Sequence, residues 1–199
     1  MSSGSYPSIF RAWTRSSSLL FNSLIEANRA AVATFGVSAD QETPTEERIT
    51  PNATLEEWNT KRSIREDGTL SVDDSIQFSK TLSEMDVVRF ATASGDTNPL
   101  HLDAEKAKET RFEGQIVHGI LASGLISAAL ARLPGDVIYL SQDVEFLRPI
   151  PIGEYTSAYV EVAENLGGNR YRLITQVLTD DEQIAIDGEA TILIDESPN

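Results

Sequence analysis

The pattern of apolar and polar positions changes near residue 74, and the two sides of this change predict different structures. Residues 7–36 carry apolar side chains at helical spacing, whereas residues 38–75 are polar, with two prolines and many acids. The first stretch predicts an amphipathic helix and the second predicts a linker. We therefore expect an N-terminal helical extension and linker over residues 1–70, followed by one folded domain over residues 71–199.

The first part of that domain predicts a strand and two helices. Residues 75–82 alternate between apolar and polar side chains, which is typical of a strand. The sequence Ser83-Glu-Met-Asp86 has the pattern of a capping box and predicts the start of a helix that ends at Gly95. Asp103 is a suitable cap for a second, short helix over residues 104–109.

The rest of the domain predicts one apolar helix followed by a run of strands. Residues 118–133 have Arg132 as their single charged residue, which predicts a helix buried on all sides. Four segments typical of strands follow it, at residues 137–147, 155–164, 170–179 and 184–194. Sequential strands joined by short turns form antiparallel sheets, and a wholly apolar helix needs such a sheet around it. The pattern therefore predicts an α+β hot-dog fold, an antiparallel sheet wrapped around a buried central helix.

The charge balance excludes one class of partner. The 199 residues include 31 acids and 16 bases, which gives a net charge of −15. Nucleic acid is not expected as a partner, because binding it needs a basic surface. The acidity is typical either of an ordinary soluble surface or of the dense carboxylate surface of a halophilic protein, and the presence of only four lysines favours the halophilic interpretation.

Several absent sequence features narrow the functions further. The chain has no cysteine, which excludes disulfides, thiolate metal sites and a cysteine nucleophile. It has no apolar run of the length that spans a membrane and no signal-peptide pattern, so a cytoplasmic location is expected. No glycine-rich phosphate-binding loop is present, so no nucleotide cofactor is expected. The helix predicted over residues 7–36 either packs on the domain or on a second subunit, or docks on a membrane, a polyester granule or a partner.

The segment Asp96-Thr-Asn-Pro-Leu-His101 is the first candidate for chemistry. Pro99 disfavours helix at Asn98, so the segment is predicted to be irregular and to turn Asp96 and His101 towards one point. A carboxylate and an imidazole that converge on one water can move its proton. Ser94 and Asn98 are polar neighbours that would orient them. By spacing alone, an Asp–His pair of this kind is also ordinary turn structure.

The start of the apolar helix is the second candidate. The first amides of a helix have no internal partners, so a carbonyl placed on the Gly119 N–H would be polarised as in an oxyanion hole. The simpler interpretation of His118 is a structural residue at the helix N-terminus with its ring satisfied. Ser127 either bonds back within the helix or faces the reaction site. Four residues have side chains that can bind a metal, Asp96, His101, Asp103 and His118, but no metal is expected.

Three separated segments carry a resemblance to a known family. They read FATASGDTNPLHLDAEKA from residue 90, TRFEGQIVHGILASGLIS from residue 110 and IYLSQDVEFLRPIPIGE from residue 138. These motifs resemble the MaoC-like dehydratase family, and within it the R-specific enoyl-CoA hydratases, over residues 78–194. The resemblance implies a hot-dog fold and a homodimer with composite active sites. It also implies reversible syn addition of water to a trans-2-enoyl thioester, which gives an R-3-hydroxyacyl thioester.

The same resemblance implies a role for each candidate residue. Asp96 would act as the base on the attacking water, and His101 would help return a proton to the α carbon. The Gly119 amide would polarise the thioester carbonyl, and Ser127 would line the site. No cofactor is expected, because coenzyme A is part of the substrate.

The pathways that such an activity would supply are polyhydroxyalkanoate synthesis or lipid metabolism. Two alternatives from other classes stay open. One is a hot-dog acyl-CoA thioesterase, which would release free CoA. The other is a non-catalytic protein that binds acyl thioesters or coats granules.

Overall fold

The computed structural model of the chain describes residues 49–65 and 68–195. Its main compact unit begins at Thr54. The helix predicted over residues 7–36 lies outside the described residues, and so does the docking role suggested for it. Among the helices that are described, none is both long enough and apolar enough to cross a membrane.

Six strands and four helices make up the described part of the chain. The strands are β1 (Asn59–Ser63), β2 (Ser75–Thr81), β3 (Asp136–Phe146), β4 (Tyr155–Gly167), β5 (Arg170–Leu178) and β6 (Ile184–Asp195). The helices are α1 (Glu84–Ser94), α2 (Pro99–Leu102), α3 (Ala104–Lys108) and α4 (Gly119–Leu130). Apart from β1 and α2, all of them were predicted from the sequence to within three residues at each end.

The strands form one antiparallel sheet in the order β1-β2-β4-β5-β6-β3. Helix α4 packs against β2, β4 and β5. Alternating burial along β5 places Tyr171, Leu173, Thr175 and Val177 on its buried face. The predicted α+β hot-dog fold is therefore confirmed, with an antiparallel sheet packed around a central helix.

The core lies between the sheet and one side of α4. The helix contributes Ala122, Leu125, Ile126, Ala129 and Leu130, all of them buried. Burying a leucine or isoleucine side chain stabilises the fold by about 1.5–3 kcal/mol relative to exposing it. Contacts of this kind hold the first turn of α4 in place, and the candidate chemistry is located at that turn.

The prediction that the central helix is buried on all sides is wrong for the single chain. Ile120 is 60% exposed, and Gly124 and Ser127 are also exposed. The reason is geometric, because the sheet covers only one side of the helix. The other side lies open and is still made of apolar and small residues.

The stretch predicted as a linker contains a strand. Residues 59–63 form β1, which pairs with β2 at one edge of the sheet. All five β1 side chains are exposed, so the strand has no apolar alternation by which a sequence pattern is recognised. Next to β1, the ring of Trp58 packs edge-on against Phe78, with 5.6 Å between the ring centroids.

Candidate active site

The first half of the site is positioned by the end of helix α1. Gly95 adopts a left-handed conformation with φ of 78°, and its N–H bonds to the Ala91 carbonyl, which ends the helix. The Ser94 hydroxyl donates to the Phe90 carbonyl at 2.7 Å and accepts the Asp96 N–H at 3.1 Å. Ser94 therefore shapes the turn that presents Asp96.

A short helix then presents the first histidine. The Asp96 carboxylate accepts the Asn98 N–H at 3.2 Å, and the Asn98 side-chain oxygen accepts the Leu100 N–H at 3.1 Å. Asn98 thereby caps α2, and Pro99 occupies the first helical position, where its missing N–H costs nothing. The prediction of an irregular segment is confirmed for residues 96–98 and wrong from Pro99 onwards, because proline restricts the residue before it while favouring a helix that starts with it.

His101 is buried and fixed in orientation. Its Nδ1 lies 2.7 Å from the carbonyl oxygen of Ile116, and the His101 carbonyl accepts a hydrogen bond from the Gln115 side chain at 2.9 Å. A carbonyl oxygen can only accept, so Nδ1 carries the proton. In the neutral ring, Nε2 is then the nitrogen with a free lone pair, and it is the one able to exchange a proton.

His118 is the most buried polar group of the site, at 2% exposure. Its ring stacks on the His101 ring, with 3.8 Å between centroids and 29° between planes. Its Nε2 lies 3.1 Å from the Asp96 carbonyl oxygen, to which it donates. The side chain makes no capping hydrogen bond, and Nδ1 is buried without a partner among the described residues. The capping role expected of His118 is therefore wrong, while its ring is satisfied at Nε2 and has no partner among the described residues at Nδ1.

These three residues converge. One ligand atom from each of Asp96, His101 and His118 lies within 4.8 Å of the others. A water that makes hydrogen bonds of about 2.8 Å to two atoms at a tetrahedral angle separates them by about 4.6 Å. The spacing therefore suits one water held between the Asp96 carboxylate and an imidazole.

Asp103, the fourth possible metal ligand, has a different role. Its carboxylate accepts the N–H groups of Glu105 and Lys106, both at 3.1 Å, and so caps α3. Three groups of the four therefore meet at one point. That no metal is needed stays a prediction.

A cavity of about 400 Å³ lies next to His101, large enough for a small ligand. Gly119, the first residue of α4, lines this cavity, and so do several apolar side chains on the surrounding segments. The Phe146 ring packs directly on Gly119, because a Cβ atom added there would lie 2.7 Å from the ring. A larger residue there would displace this half-exposed ring, whereas glycine leaves the position open to a ligand.

The predicted site residues do not all reach the cavity. His101 and Gly119 line it, and the Asp96 carboxylate meets His101 beside it. Ser94 and Asn98 act on the backbone of the loop. Ser127 lies on the exposed side of α4 and is outside the cavity lining formed by the described residues.

The sequence-based prediction named only His101 and Gly119 of the cavity lining, and the residues that it missed include Arg111, Phe146 and Arg148. Their only signal is that they fall within the segments that carry the family resemblance. The spacing of residues along the chain does not predict that the end of β3 lies next to the start of α4.

Comparisons with known proteins agree with this geometry. A family model described as "MaoC like domain" matches residues 69–183. An (R)-specific enoyl-CoA hydratase of Rhodospirillum rubrum is 38% identical over 122 residues, which is 60% of this chain and 85% of that protein. A mitochondrial 3-hydroxyacyl-[acyl-carrier-protein] dehydratase of Arabidopsis thaliana is 34% identical over 130 residues, 63% of this chain and 78% of that protein.

Among solved structures, the unliganded R-hydratase PhaJ1 of Pseudomonas aeruginosa is similar, with a TM-score of 0.63 and 38% identity. The match covers 70% of this chain and 90% of that one.

Proposed function

The chain belongs to the MaoC-like domain family, and on that premise we propose that it is an R-specific enoyl-CoA hydratase. The reaction is reversible syn addition of water to a trans-2-enoyl-CoA, which gives an R-3-hydroxyacyl-CoA. The observation that carries the proposal is the convergence of the Asp96 carboxylate and the His101 imidazole within 4.8 Å, beside an apolar cavity lined by Gly119.

Asp96 and His101 handle the proton of one water. The Asp96 carboxylate removes a proton from the water while the water oxygen bonds to the β carbon. The electrons of the carbon–carbon double bond move towards the thioester carbonyl. The proton taken up by Asp96 passes to the Nε2 of His101, and from there to the α carbon. One water thus supplies both the hydroxyl and the hydrogen. Because the two groups meet at one point, both additions occur on one face of the double bond.

Gly119 makes the β carbon electrophilic. The Gly119 N–H is the first amide of a twelve-residue helix. Amides of the first turn have no hydrogen-bond acceptor within the helix, so this N–H can bind a ligand. A thioester carbonyl bound there is polarised, and the enolate that forms during addition is stabilised by the hydrogen bond and the helix dipole. A side chain at this position would meet the Phe146 ring, which is half exposed and would have to shift.

His118 positions both reacting groups. Its ring stacks on His101, and its Nε2–H holds the main-chain carbonyl of Asp96. A single buried ring thereby fixes the base and the imidazole relative to each other. This assignment makes His118 a positioning residue, since it acts through its two neighbours.

Hydration of crotonyl-CoA, followed as loss of the enoyl-thioester absorbance, tests the function. We expect turnover with R-3-hydroxybutyryl-CoA as the product, and an Asp96→Asn variant that is about 10³-fold slower. Asp103→Asn is the matched control, since it changes a nearby carboxylate that caps α3. Release of free thiol would instead show a thioesterase, and binding without turnover would show a non-catalytic thioester-binding protein. Equal activity of Asp96→Asn and the wild type would contradict the assigned base.

We also infer that the active form is a homodimer. Strand β3 lies at the edge of the sheet and exposes the large apolar residues Ile138, Tyr139 and Leu140. On the central helix, Ile120 is likewise exposed. A second copy that pairs with β3 would cover both surfaces and lie close to the cavity. This supports the composite active site expected from the resemblance.

The wider biological setting stays a prediction. Supply of R-3-hydroxyacyl-CoA to polyhydroxyalkanoate synthesis or lipid metabolism fits the proposed product. Contact of residues 7–36 with a granule or membrane surface, and a cytoplasmic location, are also predictions from the sequence. The halophilic interpretation of the charge of −15 predicts that the protein needs high salt to fold, which unfolding curves in molar and low salt would test.

A further inference from the structure

The cavity beside His101 is basic, although the chain is strongly acidic. Its lining includes the side chains of Arg111 and Arg148, and no aspartate or glutamate of the described residues contributes to it. In the whole chain, 31 acids stand against 16 bases. A lining drawn at random from this composition would contain more carboxylates than guanidinium groups. The local excess of positive charge therefore needs its own explanation.

Burial distinguishes the interior of the cavity from its mouth. The interior residues are buried, namely His101, Val117, Ala122, Ile150 and Ile186. Arg111 and Arg148 are exposed, as are their neighbours Phe146, Leu147 and Pro149. The two arginines thus lie at the solvent side of the cavity, and His101 lies inside.

Neither guanidinium forms a salt bridge with a carboxylate of the described residues, although the charge of Arg148 attracts the exposed Asp181 carboxylate nearby. The salt bridges of the described residues involve Lys80, Lys108 and Arg172. The Arg111 guanidinium lies over the ring of Phe112, 4.8 Å from its centroid, which leaves its N–H edge available. Both groups are therefore able to bind an anion without breaking a salt bridge among the described residues.

The backbone holds the two arginine-bearing segments together. The Val117 N–H donates to the Ile150 carbonyl at 2.8 Å, and Ile116 and Pro151 form a β-bridge. The loop that carries Arg111 and the segment that carries Arg148 are thus joined at the wall of the cavity. The arginines therefore belong to the same mouth as the chemistry inside.

We propose that Arg111 and Arg148 form an anion subsite that binds the phosphate groups of the coenzyme A part of the substrate. The proposal rests on the proposed function, because the thioester end would lie inside at His101 and Gly119. The pantetheine arm then leads outwards past the mouth and carries the phosphates to the solvent side. Arginine is suited to this task, since its planar guanidinium makes paired hydrogen bonds to phosphate.

Substrates that differ only in their phosphates test the subsite. Crotonyl-CoA, crotonyl-4′-phosphopantetheine and crotonyl-pantetheine share the same reacting thioester but carry three, one and no phosphate groups. For the Arg111→Gln/Arg148→Gln double variant, we expect the ratio of kcat/KM for crotonyl-CoA to that for crotonyl-pantetheine to fall about 100-fold, or about tenfold for each arginine. The loss should appear mainly in KM.

Arg170→Gln is the matched control. Arg170 is exposed and pairs with Leu193, about seven residues or roughly 23 Å along β6 from the cavity residue Ile186. The Arg170→Gln variant removes the same charge far from the cavity. Its ratio of kcat/KM for crotonyl-CoA to that for crotonyl-pantetheine should equal that of the wild type. An equal loss of activity towards all three substrates, or an unchanged ratio in the double variant, would overturn the subsite.

Binding of coenzyme A itself separates this proposal from the proposed reaction. Calorimetric titration with free coenzyme A should show binding to the wild type and to Arg170→Gln, and binding at least tenfold weaker to the double variant. If no thioester is hydrated, the hydratase assignment fails, while this titration still tests the subsite. If the double variant binds coenzyme A as tightly as the wild type, the subsite is wrong whatever the reaction.

Discussion

At the scale of single residues, a substitution of His118 can distinguish its proposed positioning role from a purely structural one. Replacing it with phenylalanine keeps an aromatic ring against His101 but removes the donor to the Asp96 carbonyl. The change also removes Nδ1, a buried nitrogen without a partner among the described residues, whose burial is costly. We expect His118→Phe to lower kcat about tenfold or more, while the melting temperature is kept or raised.

Measuring kcat, KM and the melting temperature on the same samples checks this prediction. A fall in stability that parallels the fall in activity would show that His118 only supports the fold. An unchanged kcat would contradict the positioning role. His118→Gln is the complementary variant, because it keeps a donor and loses the ring.

Sequence reasoning identified the residues now proposed to react, but not their surroundings. Asp96 and His101 are five positions apart, so the turn that joins them is a local property that motif and composition reveal. The stacking of His101 on His118 joins positions 17 apart and depends on where α4 begins in space. Arg148 reaches the same cavity from the end of β3, through sheet pairing that no local pattern encodes.

At the scale of elements, the capping box of α1 predicts a pH dependence of stability. The Ser83 hydroxyl accepts the Asp86 N–H, and the Asp86 carboxylate accepts the Ser83 N–H at 2.9 Å and a hydrogen bond from Lys80 at 2.9 Å. Burial raises the pKa of the Asp86 carboxyl, but the hydrogen bonds from Lys80 and Ser83 and the charge of Lys80 outweigh it. The pKa of Asp86 in the folded protein therefore lies below its usual value.

Because the folded-state pKa is lowered, the carboxylate stabilises the fold above its unfolded pKa of about 4. This stabilisation is lost as the pH falls through the folded-state pKa. We expect Asp86→Asn to be less stable than the wild type by about 1 kcal/mol at pH 7, with the difference shrinking as the pH falls below the unfolded-state pKa and through the lowered folded-state pKa. Urea unfolding of both proteins across this range measures it. A difference that does not change with pH would contradict the role of the charge.

Gly188 tests the pairing of β3 with β6. A Cβ atom at this position would lie 2.1 Å from the backbone oxygen of Asp143 on the neighbouring strand, which cannot move without breaking the sheet. We expect Gly188→Ala to destabilise the protein by about 3 kcal/mol. Gly114→Ala is the matched control, since nothing lies within 4 Å of a Cβ atom there. Equal unfolding midpoints for the two variants in urea would contradict the close approach.

The elements that the sequence predicted well are those with a buried face. The alternation of β5 and the apolar run of α4 both reflect contact with the core, so the pattern reports the structure. Strand β1 has five exposed polar residues and is held by backbone pairing with β2, which leaves no trace in the pattern. Helix α2 is four residues long, too short for a period to appear.

At the scale of the whole molecule, the pattern of apolar residues along the chain predicts more burial than a single copy of the protein provides. The sequence pattern predicts that α4 is buried on every side, whereas Ile120 and Ser127 are exposed in one chain. Strand β3 shows the same conflict, since Ile138 and Leu140 are exposed at a free edge of the sheet. Unpaired edges that carry apolar residues are a hazard unless another chain covers them. Both surfaces therefore support the proposed homodimer, in which a second copy would cover them.

Leu140→Lys tests this conclusion, because Leu140 is half exposed on β3 and a charge there would have to be desolvated in a dimer interface. We expect the wild type to sediment as a dimer and the variant as a folded monomer. Ile174→Lys is the matched control, since Ile174 is an exposed apolar residue on β5, inside the sheet and away from the free edge.

If the active site is composite, the Leu140→Lys monomer should also lose most of its hydratase activity. Activity should recover at protein concentrations high enough to drive dimerisation, because association follows mass action. A wild type that is monomeric and fully active would instead show that one chain forms the whole site. In that case the exposed surface formed by β3 and α4 would need a partner other than a second copy.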